Sequence, residues 1–408
     1  MNKFYAKPYK LCNKIQNYAW GTRNGNALIP KLLGIEPVPD LPYAELWIGA
    51  HPKAPSEIEI EGRKVTLDKV IEKFPDECLG EYVNKKFNSK FPFLLKVLSA
   101  AEALSIQLHP NKAQAEILHA KDPVNYPDDN HKPEIAIAID SLTAIAGFKP
   151  IQQIKSSLSG LSELADFIDV DLISAVINSS EEKEAGENVQ ALYSAIMKKT
   201  EDVENLTNCI NKICDRLSKQ ELLSLEETQF LKQHELYGAD VGLFSFFFFN
   251  LLKLKPGQAI FTDAGVPHAY IAGNIIECMA NSDNVVRAGL TNKFKDVDTL
   301  LEIVKYDFKE FEIINEKQET DEIGFKTTAE EFELTAIQSE NTRIINYHSN
   351  DKPSIIQIMN GKIRIEWTDD ESHYENLNCG DAIFFPASLN HCKLTLSSGT
   401  KYFMVNIP

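Results

Sequence analysis

Three short stretches of this 408-residue chain carry side chains able to hold a divalent metal. In LSIQLHP (104–110), strand alternation sets Ser105, Gln107 and His109 on one face and Leu104, Ile106 and Leu108 on the other. In HKPEIAIAI (131–139), the same rule groups Lys132, Glu134, Ala136 and Ala138 apart from Ile135, Ile137 and Ile139, and the two alanines leave room beside the carboxylate. In VPHAYIAG (266–273), His268 and Tyr270 share a face. Gln107, His109, Glu134 and His268 thus make a nitrogen and oxygen donor set of the kind that suits zinc or another first-row divalent ion. The bland reading stands beside it: a Gln-x-His pattern is not diagnostic, and a strand histidine is usually exposed or hydrogen-bonded. Spacing alone leaves the two readings level, because the four donors are scattered over about 160 positions.

The elements that must position these donors are short strands. Residues 1–150 read as β-rich runs broken by proline and glycine, among them LWIGA, SEIEI, FPFLLKVLSA, EIAIAI and LTAIAGF. Over 151–239 the texture changes: DFIDVDLISAVI, NVQALYSAIMKK and VENLTNCINKICDRL space their apolar residues by three and four, which predicts a helical insert. Strand texture resumes at LFSFFFFNLLKL, QAIF and NIIECM, followed by a helix in VDTLLEIVKY. Residues 309–408 are β-rich again; IIQIMNGKIRIEW reads as a hairpin with Asn360-Gly361 in a type I′ turn, and TDDESHYE, with His373, as a loop. GQAIFTDAGVPH (257–268) and GDAIFFPASLNH (380–391) agree at six of twelve positions, which suggests two related β-sandwich or jelly-roll barrels. The expected fold is therefore mainly β: a discontinuous barrel domain from 1–150 and 240–308, the insert over 151–239, and a second barrel over 309–408. His391 stands where His268 does, yet no Gln-x-His or glutamate strand precedes it, so the second barrel is expected to be degenerate and to help close the first.

Composition narrows the partners. The formal charge is −17, from 42 basic and 59 acidic side chains, which disfavours nucleic acid and anionic membranes. The most apolar run, VGLFSFFFFNLL (241–252), is shorter than the ~20 residues of a membrane-spanning helix. No apolar leader follows Met1, and seven cysteines without a CxxC pair suit a reducing compartment, so a cytoplasmic location is expected.

Several long segments resemble, in order, the type I mannose-6-phosphate isomerases, zinc enzymes of the cupin superfamily. They are IQNYAWG, AELWIGAHPKAPS, FPFLLKVLSAAEALSIQLHPNKAQAE, NHKPEIAIAI, VPHAY and IIECMANSDNVVRAGLTNKFKDV. The insert and the last hundred residues match only in outline. The resemblance implies one zinc per chain on Gln107, His109, Glu134 and His268, a catalytic arginine at Arg287, and contacts to a sugar phosphate from Ser105, Lys132 and Lys293. It implies interconversion of mannose 6-phosphate and fructose 6-phosphate through a cis-enediol, with zinc and Arg287 stabilising the developing oxyanion. Whether the flux serves mannose catabolism or the supply of activated mannose stays open.

A base is also needed, and Glu277, His131, Lys132, Tyr270 and Asp283 all lie in the matching segments. Glu277 is favoured because alternation in IIECM turns it away from Ile276 and Cys278, though a glutamate neutralising Arg287 or Lys293 is an equal reading. A dianionic substrate also requires local positive charge, for which Lys112, Lys132, Arg287 and Lys293 are available; Lys295 reads as a solvated surface charge and His51 as a pocket wall. The rival readings are a non-haem iron oxygenase, from the triad His109, Glu134 and His268, and a non-catalytic sugar-binding cupin. A monomer is expected.

Overall fold

The computed structural model describes residues 3–315, 321–369 and 371–408. The chain is mixed rather than mainly β, with 30% helix and 32% strand. Helices form not only in the insert but among the early strands, at Leu28–Leu33, Leu67–Lys73, Pro75–Lys86 and Lys112–Lys121. The last begins with a capping box in which Asn111 and Gln114 satisfy each other's backbone N–H groups.

One long strand, His268–Ala280, organises the first half of the molecule. Its opening residues pair antiparallel with Leu142–Phe148, and His268 also stands opposite Gln107 of Ile106–Leu108. From Gly273 onward it pairs instead with Phe93–Ala100 on one side and Glu134–Ala138 on the other. The change of partners happens at a glycine because φ is +130° there and a Cβ would come within 2.5 Å of the Ser141 carbonyl oxygen. Val286–Gly289 then returns beside Ile106–Leu108 and sets Arg287 opposite Gln107.

The insert carries helices at Ile151–Ser159, Val170–Asn178, Glu182–Lys198, Val203–Leu217 and Leu225–Tyr237. Their apolar stripes share a core with the outer side of the Leu142–Phe148 strand, where the rings of Phe148 and Tyr193 meet at 5.2 Å. Strand texture does not begin where LFSFFFFNLLKL suggests. Val241–Phe244 and Ser245–Phe248 are short helical turns, and the strand starts at Phe249. The run is buried on every side, so it has no period to distinguish helix from strand, while Asp240 accepts the Gly242 N–H and starts the turn.

The C-terminal strands form a six-stranded sheet and a four-stranded sheet that share a core of residues such as Ile356, Ile363, Ile383 and Leu394. The expected hairpin at Asn360-Gly361 is not one. Ser354–Asn360 pairs with Ala382–Phe385 and Thr400–Asn406 in the larger sheet, whereas Lys362–Thr368 pairs with Ser372–Asn378 and His391–Leu396 in the smaller. Gly361, at φ +80°, turns the chain from one sheet to the other, and a Cβ there would lie 2.7 Å from Thr400 Cα. The loop expected around His373 is also a strand, Ser372–Asn378; of that stretch Asp370 lies outside the described residues. The larger sheet takes one strand from the far end of the chain, Tyr9–Leu11, against Ala382–Phe385. Among the described residues no helix is long and apolar enough to cross a membrane.

Candidate active site

The strands converge on a pocket of about 210 Å³ whose lining includes Ser105, Gln107, Lys132, Glu134, Tyr270, Glu277, Asp283, Arg287 and Lys293. Below its floor sit His109 and His268, each 1% exposed. One ligand atom from each of His109, Glu134 and His268 lies within 4.8 Å of the other two, the one such group of three among the described residues.

The tautomers of both histidines follow from their partners. His109 Nδ1 is 2.7 Å from the Asn284 carbonyl and His268 Nδ1 is 2.9 Å from the Val266 carbonyl. A carbonyl only accepts, so each Nδ1 carries the hydrogen and each Nε2 keeps its lone pair in the neutral ring. Burial, helped by the positive charge of Lys132, lowers the His109 pKa to about 4, so this ring is neutral at pH 7. His268 Nε2 is 3.1 Å and His109 Nε2 3.5 Å from the Glu134 carboxylate. Two lone pairs thus face an anion, and His109 Nε2 is buried with no hydrogen-bond donor. Such a set of acceptors fits a divalent cation, with Gln107 beside His268 able to offer an amide oxygen. Glu134 is held ionised: burial raises its pKa, but the charge of Lys132, 2.9 Å away, brings it well below the usual carboxylate range.

Next to this centre is a second buried charge group that the sequence reading missed. Lys96 Nζ lies 2.8 Å from Glu277 and 3.9 Å from Glu45, whose carboxylate also accepts the Trp47 indole N–H. Burial acts to discharge Lys96, but Glu277 and Glu45 outweigh it and keep it a cation. Glu277 goes the other way. Its burial, opposed by Lys96, raises its pKa above the ordinary glutamate value. The partner of Glu277 is therefore Lys96 and not Arg287 or Lys293. The signal lay in FLLKVLSA, a lysine inside a strand buried on both faces, where alternation cannot mark a functional side.

The remaining candidates separate cleanly. Asp283 faces His51 at 3.6 Å and Lys53 at 2.9 Å; burial lowers the His51 pKa to about 4, so its ring is neutral, and it stands behind Asp283 rather than in the pocket lining. His131 turns away from the pocket to Glu331, 2.6 Å off. Lys112 binds the Asp129 carbonyl at 2.8 Å, outside the lining. Lys295 is no free surface charge, since it pairs with the largely buried Asp240 at 3.3 Å. Cys278 is buried on the opposite side of its strand from Glu277, and burial keeps its thiol protonated. Arg287 is half-buried, which lowers its pKa while leaving it charged at neutral pH. The lining holds Lys53, Lys96, Lys132, Arg287 and Lys293 against Glu45, Glu134, Glu277 and Asp283, a surplus of positive charge in a protein of net −17.

Comparison with known proteins agrees with this geometry. The family model for the catalytic domain of phosphomannose isomerase type I matches residues 9–151. The probable mannose-6-phosphate isomerase of Dictyostelium discoideum is 34% identical over 405 residues, covering 92% of this chain and 88% of that protein. The mannose-6-phosphate isomerase of Mus musculus is 41% identical over 306 residues, 72% of this chain and 71% of its own. Among solved structures, a phosphomannose isomerase mutant from Salmonella typhimurium superposes with a TM-score of 0.85 at 31% identity, covering 98% of this chain and 100% of its own. A zinc-bound mannose 6-phosphate isomerase does so with a TM-score of 0.84, also at 31% identity, over 98% of this chain and 99% of its own. Since the likeness runs through the strands that carry the buried His-Glu-His group and on to the C-terminal sheets, the chain belongs to the type I phosphomannose isomerase family.

Proposed function

We propose that the chain is a zinc-dependent aldose-ketose isomerase that interconverts D-mannose 6-phosphate and D-fructose 6-phosphate through a cis-enediol. The observation that carries this is the buried trio of His109, Glu134 and His268, two Nε2 lone pairs and a carboxylate turned toward one point beside a cation-rich pocket. The relatives' names and the zinc in the solved structure of one of them support both substrate and metal. Gln107 is the fourth ligand in this reading, with one zinc per chain. When bound, zinc supplies a positive charge that polarises the substrate oxygens.

The chain's own residues do the rest. Lys293, Ser105 and Lys132 hold the sugar phosphate, and Arg287 sets a permanent positive charge beside the oxyanion that develops as the C2 proton leaves. Glu277 is the base that moves the proton between C2 and C1. Its raised pKa brings it closer to that of the carbon acid it must serve, and Lys96 fixes its direction. Trp47, Tyr270 and Met279 add apolar surface to the pocket lining. A fourth ligand and a phosphate clamp both count against the oxygenase reading.

The architecture read with this activity is a pair of jelly-roll barrels, one from 1–150 and 240–308 and a degenerate one from 309–408, flanked by the helical insert 151–239. The paired sheets with a shared core and the repeat ending at His268 and His391 support it. A monomeric, cytoplasmic enzyme is part of the proposal; seven cysteines without a CxxC pair suit a reducing compartment. The deciding experiment is a coupled assay for fructose 6-phosphate from mannose 6-phosphate, with and without a chelator. Turnover that stops on chelation and returns with zinc is expected. Absence of turnover from metal-loaded protein would sink the assignment.

A further inference from the structure

We infer that Asp128, which lies outside the pocket lining, is a positioning residue for the metal centre. It acts through the irregular segment 281–285, which joins the strands His268–Ala280 and Val286–Gly289. That segment does two things at once. It carries Asp283 into the pocket, and its Asn284 carbonyl accepts the His109 Nδ1–H that leaves Nε2 free as a ligand.

A segment without a strand ladder must find partners for its polar groups elsewhere. Asp128 takes three of these groups, the Ser282 hydroxyl, the Asp283 N–H and the Asn284 side-chain amide. Its Oδ1 accepts from Ser282 Oγ at 2.8 Å, from Asn284 Nδ2 at 3.2 Å and from the Asn130 backbone N–H at 3.0 Å, while Oδ2 accepts the Asp283 N–H at 2.7 Å. The Asp128 backbone carbonyl takes a further bond from Asn284 Nδ2 at 2.6 Å. Four donors converge on one side chain, and an ionised carboxylate, with about four lone-pair sites and no hydrogen of its own, is the group that satisfies them all. Ser282 and Asn284 are almost wholly buried, so water cannot replace a missing acceptor. The chain of contacts therefore runs from Asp128 through Ser282, Asp283 and Asn284 to the ring of His109. Asn281 Nδ2 ties the start of the segment to the Phe91 carbonyl at 2.6 Å, and Asn130 shares the hold on the rest: its Nδ2 donates to the Asn281 carbonyl at 3.0 Å, and its backbone carbonyl accepts from Ser282 Oγ at 3.0 Å and Asn284 Nδ2 at 2.9 Å. The Asp283 N–H between them goes to the Asp128 carboxylate.

The inference rests on the reading of His109 as a zinc ligand, and its test separates the two. Asp128→Ala, Asp128→Asn and, as a neighbouring control, Asp129→Ala are compared with the parent protein by chelator-competition titration of zinc and by the exchange rate of the His109 Nδ1–H proton in NMR. Asp129 only meets Lys112 at the surface, so its variant should match the parent in both. Loss of Asp128 should weaken zinc by about 10–100-fold, the range for removing a partner of a metal-bound histidine. It should also speed Nδ1–H exchange with core amides unchanged, a signature that general destabilisation does not produce. Asn keeps one acceptor but turns an NH₂ on the Asp283 N–H, so it should fall between, and it carries the test should the alanine variant not fold. Unchanged zinc affinity and unchanged exchange in a folded Asp128 variant would overturn the inference. A parent protein that takes up no zinc would instead refute the ligand reading, and the exchange comparison in metal-free protein would then decide the role of Asp128 alone.

Discussion

At the scale of single residues, the site is a set of charges kept in chosen states by burial. His109 is neutral, Lys96 is charged, and Glu277 holds its proton more tightly than a solvated glutamate. The base must be ionised, so activity should be present above the Glu277 pKa and lost as pH falls through it. Because burial raises that pKa, the acid limb of kcat/KM is expected above the ordinary glutamate value of 4.5, and a limb at or below it would remove Glu277 from the role. Glu277→Gln should nearly abolish exchange of the substrate proton with solvent while leaving zinc bound; normal exchange would pass the role to Asp283 or another lining group. Arg287→Ala should keep about one zinc per chain and lose turnover by orders of magnitude. Zinc loss in that variant would make the arginine structural. Alternation made the faces of Gln107, His109 and Glu134 readable in advance, because each strand has one apolar side. It could not reveal Lys96, whose strand is buried on both.

Among the elements, the strands were legible wherever turn residues bounded a short apolar run, and the insert helices wherever apolar positions recurred by three and four. Pairing was not. Asn360-Gly361 has the local chemistry of a tight hairpin, but the decision is made by Thr400 and by the distant strands Ala382–Phe385 and His391–Leu396, which draw the two arms into different sheets. The helical turns at 241–248 were hidden for the opposite reason, a run so uniformly apolar that no period survives. Gly361→Ala would force a Cβ against Thr400 in a left-handed backbone, and should destabilise the protein by about 1–3 kcal/mol. Denaturant melts would register this as a lower midpoint; an unchanged midpoint would show that the corner relaxes freely. Zinc affinity should not change, since the turn lies in the sheets away from the pocket.

Across the whole molecule, the two β-rich regions are joined tightly. Ala387 N–H bonds the Cys78 carbonyl, Ser388 N–H the Glu77 carbonyl, and Glu331 meets His131 next to the lysine that faces the metal ligands. A single core runs from Tyr9 through Ile135 and Ile276 to Val405. The strand Tyr9–Leu11 is part of that join, with Tyr9 and Leu11 both buried. Removing residues 1–11 should cost roughly 3–6 kcal/mol, at about 1.5–3 for each of the two apolar side chains lost, and should lower the melting temperature of the metal-loaded protein. A truncated protein as stable as the parent would mean that the edge of the larger sheet needs no cover.

The pairing of Tyr9–Leu11 with Ala382–Phe385 also sets an order of events at the ribosome. At about 5–20 residues per second, the partner strand is made some 20–75 s after the first. For that interval Tyr9 and Leu11 have no sheet to join, and the nascent chain must carry an unpaired apolar strand that only a late arrival can cover.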